Sequence, residues 1–262
     1  MSISGEYFPG RDNPLNLFML PFAGGNVYSY RAIEKELGPG VKTAAIDLPG
    51  HGKRMEAPLL TDIRRMADDL FLQIRNRLDA PYALFGHSMG ATLGYLLARK
   101  ILSEGLLRPM HLFCTGRQAP TVQSREKESH ALPGDLFMEK VRAYDGLPEA
   151  LLKEKDLMAF FEPILRADFE AIGSYCYTPA PPLDLPITVI IGTEERTSYE
   201  EACQWREVTT GEVTVLRFPG KHFFIFQHAG TLAGIIEEKL ISVGGPAFGP
   251  EQKQSRRAAG HA

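Results

Sequence analysis

The stretch YALFGHSMGATLGYLLARKIL, residues 82–102, decides the fold. It opens with an apolar run, Tyr82 to Phe85, of a length suited to a buried strand, and closes with Ala91 to Leu102, rich in helix formers. Between them lies Gly86-His87-Ser88-Met89-Gly90, which puts a serine on a sharp strand-to-helix corner. The glycines two positions either side remove side chains that would collide as the chain turns. The turn lifts the Ser88 oxygen above the end of the sheet, where a nucleophile belongs.

Similar apolar runs occur at Leu15 to Leu20, Val41 to Ile46, His111 to Thr115, Ile187 to Ile191 and Val213 to Phe218. Helix-period segments lie between most of them. The clearest is Thr61 to Leu78, where Ile63, Met66, Ala67, Leu70, Ile74 and Leu78 recur at three- and four-residue intervals behind Thr61 as N-cap. This alternation predicts an α/β fold with a mostly parallel central sheet and helices on both faces. It fails between Ala119 and Pro182, where three helix patterns follow one another: Asp135 to Tyr144, Pro148 to Phe160 and Pro163 to Tyr175. Their bulky apolar residues predict a helical lid insertion, residues 119–182, covering the sheet edge where ligands bind. The core is then 1–118 with 183–242. The Gly-, Pro- and basic-rich residues 243–262 read as a disordered tail.

The chain has 262 residues and a formal net charge of -3, which supplies no basic field for nucleic acid and leaves a small molecule as the simpler substrate. Cys114, Cys176 and Cys203 are odd in number and widely spaced, against both a disulfide framework and a zinc site. No segment reads as a leader or a membrane span. A cytoplasmic protein, monomeric and without metal or organic cofactor, is the expectation.

A serine hydroxyl needs a base to accept its proton. Of seven histidines, His222 follows the last strand through Pro219-Gly220-Lys221 and so ends at the same sheet edge as Ser88. His228 lies further on. His87 is turned away by its adjacency to Ser88, and His51 reads as a turn histidine. The base needs an acid to fix its tautomer. The loop after Ile191 holds Glu194 and Glu195 and no aspartate; Glu195 is preferred, with Glu194, Asp168 or Asp184 as alternatives. For the oxyanion, one N–H comes from Met89 at the helix start and a second from the loop after the first strand, at Ala23 or the neighbouring Phe22. The order serine, acid, histidine is that of an α/β-hydrolase.

With Leu20-Pro-Phe-Ala-Gly-Gly25, Gly86-His-Ser-Met-Gly90, Leu165-Arg-Ala-Asp-Phe169, Trp205 and Pro219-Gly-Lys-His-Phe-Phe224, the chain resembles the type II thioesterases that accompany polyketide synthases and nonribosomal peptide synthetases. The resemblance spans nearly the whole chain up to Ile241. It implies a Ser88–His222–Glu195 triad, and hydrolysis of acyl or aminoacyl thioesters on the phosphopantetheine arm of an acyl or peptidyl carrier protein. Glu195 stands where that family usually has aspartate, and His51 where it commonly has arginine. A small-ester carboxylesterase or lipase of the same fold is the rival reading. A non-catalytic interaction module is a further one.

Overall fold

The computed structural model describes residues 14–144 and 154–242. Six strands form one wholly parallel sheet in the order β2-β1-β3-β4-β5-β6. They are β1 (Leu15–Leu20), β2 (Val41–Ala45), β3 (Tyr82–His87), β4 (Leu112–Thr115), β5 (Ile187–Gly192) and β6 (Val213–Phe218). Among the described residues the path runs from β1 outward to β2, then recrosses β1 to reach β3 and continues to the far edge. The order therefore reverses between β1 and β3, which pair from Asn16↔Tyr82 to Leu20↔Gly86. An open parallel sheet leaves a crevice at the carboxyl ends of the strands flanking such a reversal.

Alternation along the strands builds two cores. In β1, Phe18 and Leu20 point to one face and Leu15, Leu17 and Met19 to the other; in β3, Tyr82 and Leu84 oppose Ala83 and Phe85. Helices cover both faces, so neither set meets water. The first face packs on α2 (Ile63–Ile74) and α3 (Met89–Ser103), the second on α1 (Arg31–Glu34) through Ile33 and on α8 (Ala229–Ser242) through Leu232 and Ile236. The α2 helix begins one residue later than its pattern suggests: Asp62, not Thr61, is the N-cap, its carboxylate accepting the Arg64 and Arg65 N–H groups at 2.8 and 3.0 Å. A carboxylate also suits the positive end of the helix dipole.

Between β4 and β5 lie α4 (Gly134–Arg142) and α5 (Lys155–Gly173). They form a third cluster in which Phe137, Val141, Leu165 and Phe169 pack together, with Ala23 of the β1 loop against them. The two helix patterns expected to break at Pro163 are one continuous helix that carries Pro163 inside it. Proline removes one helical N–H bond and crowds the carbonyl four residues back. Ile164, Leu165, Phe169, Ala171 and Ile172, all buried downstream of it, offset that loss. The N-terminal part of the Pro148 to Phe160 pattern and the tail beyond residue 242 lie outside the described residues. Two short helices, α6 (Tyr199–Cys203) and α7 (Phe224–Gln227), flank the loops that follow β5 and β6.

Candidate active site

The corner at Ser88 is tight because three backbones converge on it. A Cβ at Gly86 would run into the Gly90 carbonyl, and one at Gly90 would stand 2.5 Å from the Leu20 carbonyl oxygen. Ser88 itself has φ +54° and ψ -118°, a region that costs a non-glycine residue about 1–3 kcal/mol. Its N–H donates to the Thr115 carbonyl at 2.8 Å, tying the corner to the end of β4. Tyr30, fully buried, donates to the Leu20 carbonyl at 2.8 Å and accepts the His87 N–H at 3.3 Å. The ends of β1 and β3 are thereby held together around the serine.

His222 reaches Ser88 from the loop after β6. Its Nε2 lies 2.9 Å from Ser88 Oγ and its Nδ1 lies 2.8 Å from Glu195 Oε2. The other oxygen of Glu195 accepts the Gly192 N–H at 2.9 Å, so the carboxylate is anchored to the end of β5. Its side chain is only 2% exposed, against 11% for His222. An imidazole held this way donates from Nδ1 to the carboxylate and presents Nε2 as acceptor to the serine hydroxyl. The alternatives are engaged elsewhere. Glu194 is exposed, its N–H on the Gly220 carbonyl; Asp184 pairs with Arg108 at the surface; Asp168 is buried against Gly24 and His51.

His87 does turn from Ser88, but it is not idle. Its Nδ1 is 3.0 Å from Thr115 Oγ1 and its ring centroid 4.7 Å from that of His222. Burial, reinforced by positive charge on His222, holds it well below the ordinary histidine pKa, so it backs the His222 ring as a neutral wall. His228 bonds the Pro219 carbonyl and does not approach the serine. His51, expected to be a plain turn residue, is instead buried, with Nδ1 on the Pro49 carbonyl at 2.9 Å and Nε2 on Asp168 at 3.0 Å.

Met89, the first residue of α3, and Ala23, in the loop after β1, line one cavity with Ser88. The backbone N–H groups of both have no acceptor among the described residues. That cavity, about 310 Å³, is walled by Phe22, Val141, Phe161, Leu165, Phe169 and Phe226. A second, about 340 Å³, also reaches Ser88 and His222 and is lined by Arg117, Arg125, Arg142, Arg196, Glu194 and Lys221. One chamber is apolar and the other charged, and Ser88 stands at their junction.

Three residues at that junction escaped the sequence reading. Arg117, Glu126 and Tyr144 line both chambers. Glu126 is buried; it accepts from Ser129 at 3.0 Å and from the Tyr144 hydroxyl, and pairs with Lys140 at 2.9 Å. Burial works to raise its pKa, but these partners outweigh it and hold the carboxyl below its usual range. Arg117 is buried, its backbone carbonyl accepting the Trp205 indole N–H at 3.1 Å; burial draws its pKa down, against the opposing pull of Tyr144 and Glu126. A polar residue two places beyond the end of β4 was the available signal, since strand carboxyl ends surround the ligand crevice.

A family model described as "Thioesterase domain" matches residues 15–240. The chain is 34% identical over 214 residues to the gramicidin S biosynthesis protein GrsT of Aneurinibacillus migulanus, covering 81% of this chain and 84% of that protein. The solved structure of the RedJ thioesterase from the prodiginine pathway of Streptomyces coelicolor matches with a TM-score of 0.82 at 30% identity, over 91% of this chain and 96% of that one. The type II thioesterase BorB from the borrelidin cluster matches with a TM-score of 0.81 at 34% identity, over 90% and 96%. A serine corner at the sheet's reversal point is thus accompanied by likeness along almost the full described length, and the chain belongs to the thioesterase family, hydrolases of the α/β-hydrolase fold.

Proposed function

We propose that this protein is a type II thioesterase that hydrolyses acyl or aminoacyl thioesters from the phosphopantetheine arm of an acyl or peptidyl carrier protein, within a polyketide or nonribosomal peptide assembly line. The observation that carries the reading is the 2.9 Å contact between Ser88 Oγ and His222 Nε2 at the meeting of a charged and an apolar chamber. GrsT, RedJ and BorB, each named for a biosynthetic pathway or cluster, support the choice of assembly-line substrate.

His222 takes the Ser88 proton as Oγ attacks the thioester carbonyl, and the Met89 and Ala23 N–H groups receive the developing oxyanion. The C–S bond breaks, and the imidazolium returns its proton to the departing thiol. Water, deprotonated by the same His222, then attacks the Ser88 ester and releases the acid. Glu195 holds the ring and stabilises its charged form. The acyl chain occupies the apolar chamber and the pantetheine arm the charged one, under a lid formed by residues 119–182. Three free cysteines, one of them exposed, suit a reducing cytoplasm, with the protein acting as a monomer.

The test is a parallel assay on acetyl-, medium-chain- and aminoacyl-loaded carrier proteins and on matched oxyesters. Faster turnover of the carrier thioesters, abolished in Ser88→Ala, supports the reading. Preference for simple oxyesters, with no gain from the carrier, replaces it with a carboxylesterase.

A further inference from the structure

We propose that Asp168 is a positioning residue for acyl transfer: from α5 it fixes the turn that presents the Ala23 N–H to the oxyanion, and His51 is the counter-charge that keeps it there. The inference rests on the reading of Ala23 as an oxyanion donor.

Residues 22–25 form a tight turn closed by the Gly25 N–H on the Phe22 carbonyl at 2.8 Å. Gly24, its third residue, has φ +74°, while Ala23 is not among the residues with positive φ. That combination is a type II turn. Types I and II share their end residues and differ by a half-rotation of the central peptide, here the one joining Ala23 to Gly24. The N–H of this peptide belongs to Gly24, and it donates to Asp168 Oδ2 at 2.7 Å. A side chain 144 residues away therefore sets the facing of the Ala23–Gly24 peptide and so anchors the C-terminal side of Ala23, whose own N–H lies in the preceding peptide.

Burying a carboxylate for this purpose is costly without a cation. Asp168 is 0% exposed and His51 3%. A carbonyl can only accept, so His51 Nδ1, on Pro49, carries a proton; Nε2, facing the carboxylate, carries the other. The imidazolium and the Gly24 N–H converge on the same oxygen, and Oδ1 has no partner among the described residues. Both bonds are charge-assisted, hence short and strong, and together they pin Oδ2 between the turn and His51. Asp168 also sits three residues from Leu165, whose Cδ2 would lie 2.8 Å from a Cβ placed on Gly24. The turn is thus gripped by α5 through both charge and packing.

A purely structural pair would glue α5 to the core and move stability alone. The discriminating experiment compares Asp168→Asn, whose amide oxygen still accepts from Gly24, with Asp168→Leu, which has similar bulk and no acceptor. Both are assayed on an acyl-carrier thioester and on a p-nitrophenyl ester, with melting temperature measured alongside. The expected result is a kcat loss of about 100-fold for Asp168→Leu at nearly unchanged KM, with Asp168→Asn recovering at least about tenfold of it at a similar melting temperature. Equal kcat in the two variants, or wild-type kcat in Asp168→Leu, overturns the proposal. Should Asp168→Leu not fold, Asp168→Ser, too short to reach Gly24, takes its place against Asp168→Asn with the same outcomes. Any acyl transfer through Ser88 uses the same donors, so the ester series tests Asp168 even if carrier thioesters prove not to be substrates.

Discussion

Glu195 divides its two oxygens between different partners: Oε2 meets His222 Nδ1 at 2.8 Å, and Oε1 takes the Gly192 N–H at 2.9 Å. The backbone bond aims the carboxylate, and the aimed carboxylate sets the imidazole tautomer. Glu195→Gln can keep the Gly192 bond, yet its amide group offers a donor where an acceptor is needed. We predict a fall in kcat of about three to four orders of magnitude with little change in KM or melting temperature. Glu195→Asp, shorter by one methylene, should fall between. Steady-state kinetics of the two variants check this, and near-normal kcat in the glutamine variant would remove Glu195 from the mechanism.

The strain at Ser88 predicts a trade of activity against stability. Glycine adopts φ +54° without penalty, so Ser88→Gly should raise stability by about 1 kcal/mol, or about 2–4 °C in Tm, while abolishing turnover. Ser88→Ala keeps a Cβ and the strain, and should lose activity with no gain. Calorimetry on both variants decides it; equal melting temperatures would mean that the corner stores nothing.

Gly116 is a second pressure point. It has φ +61°, and a Cβ there would lie 2.5 Å from His87 Cε1 and 3.2 Å from His222 Cε1. Gly116→Ala must push the two neighbouring imidazoles, whose planes are inclined at 45°, and through them lengthen the Ser88 contact. A kcat decrease of about 10² or more is expected from such a misplacement. Labelling by a serine-directed phosphonate should slow in proportion, and an unslowed reaction would show that His222 has not moved.

Two buried histidines should respond to pH with opposite signs. His111 stacks on Phe113 at 4.3 Å and shares a 2.8 Å bond with Thr188. Burial, aided by the Lys239 charge, brings its pKa down to about 3. Below pH of about 6.5 the unfolded chain binds a proton that the native chain refuses, so stability present above that value is lost down to pH of about 3. For His51, burial works to lower the pKa, but the Asp168 hydrogen bond and charge, the Pro49 carbonyl and Asp47 outweigh it and raise the value. Its contribution is complete below about pH 6.5 and is lost as pH rises through the raised folded value. His111→Gln should therefore flatten the acid side of a plot of Tm against pH, and His51→Gln should lower Tm most at mildly acid pH. Curves parallel to the wild type would contradict both.

Much of this was readable along the chain because it depends on near neighbours. The limits of β1 and β6 follow from apolar runs alone, and the Ser88 corner from glycines two residues away. His222 and Glu195 follow from their places after β6 and β5, given a parallel sheet. What stayed hidden depends on distant groups. His51 and Asp168 are 117 residues apart, and neither carries a local sign of the other. Arg117 looks like any loop arginine until the two chambers are seen around it. Pro163 looks like a helix break because local cost is visible in sequence, while the buried residues that offset it are visible only in three dimensions.

The placement of Ser88 between unlike chambers has a consequence for the order of events in a turnover. On the proposed assignment of the chambers the two products leave in different directions: once the C–S bond breaks, the thiol withdraws through the charged chamber while the acyl ester stays seated among Phe161, Leu165 and Phe169, which line the apolar one. The space the arm vacates is the polar one beside His222, and incoming water has only to follow it. Deacylation is then timed by departure of the carrier. A pantetheine thiol that lingers shields the ester, and inhibition by that product should outweigh inhibition by the released acid.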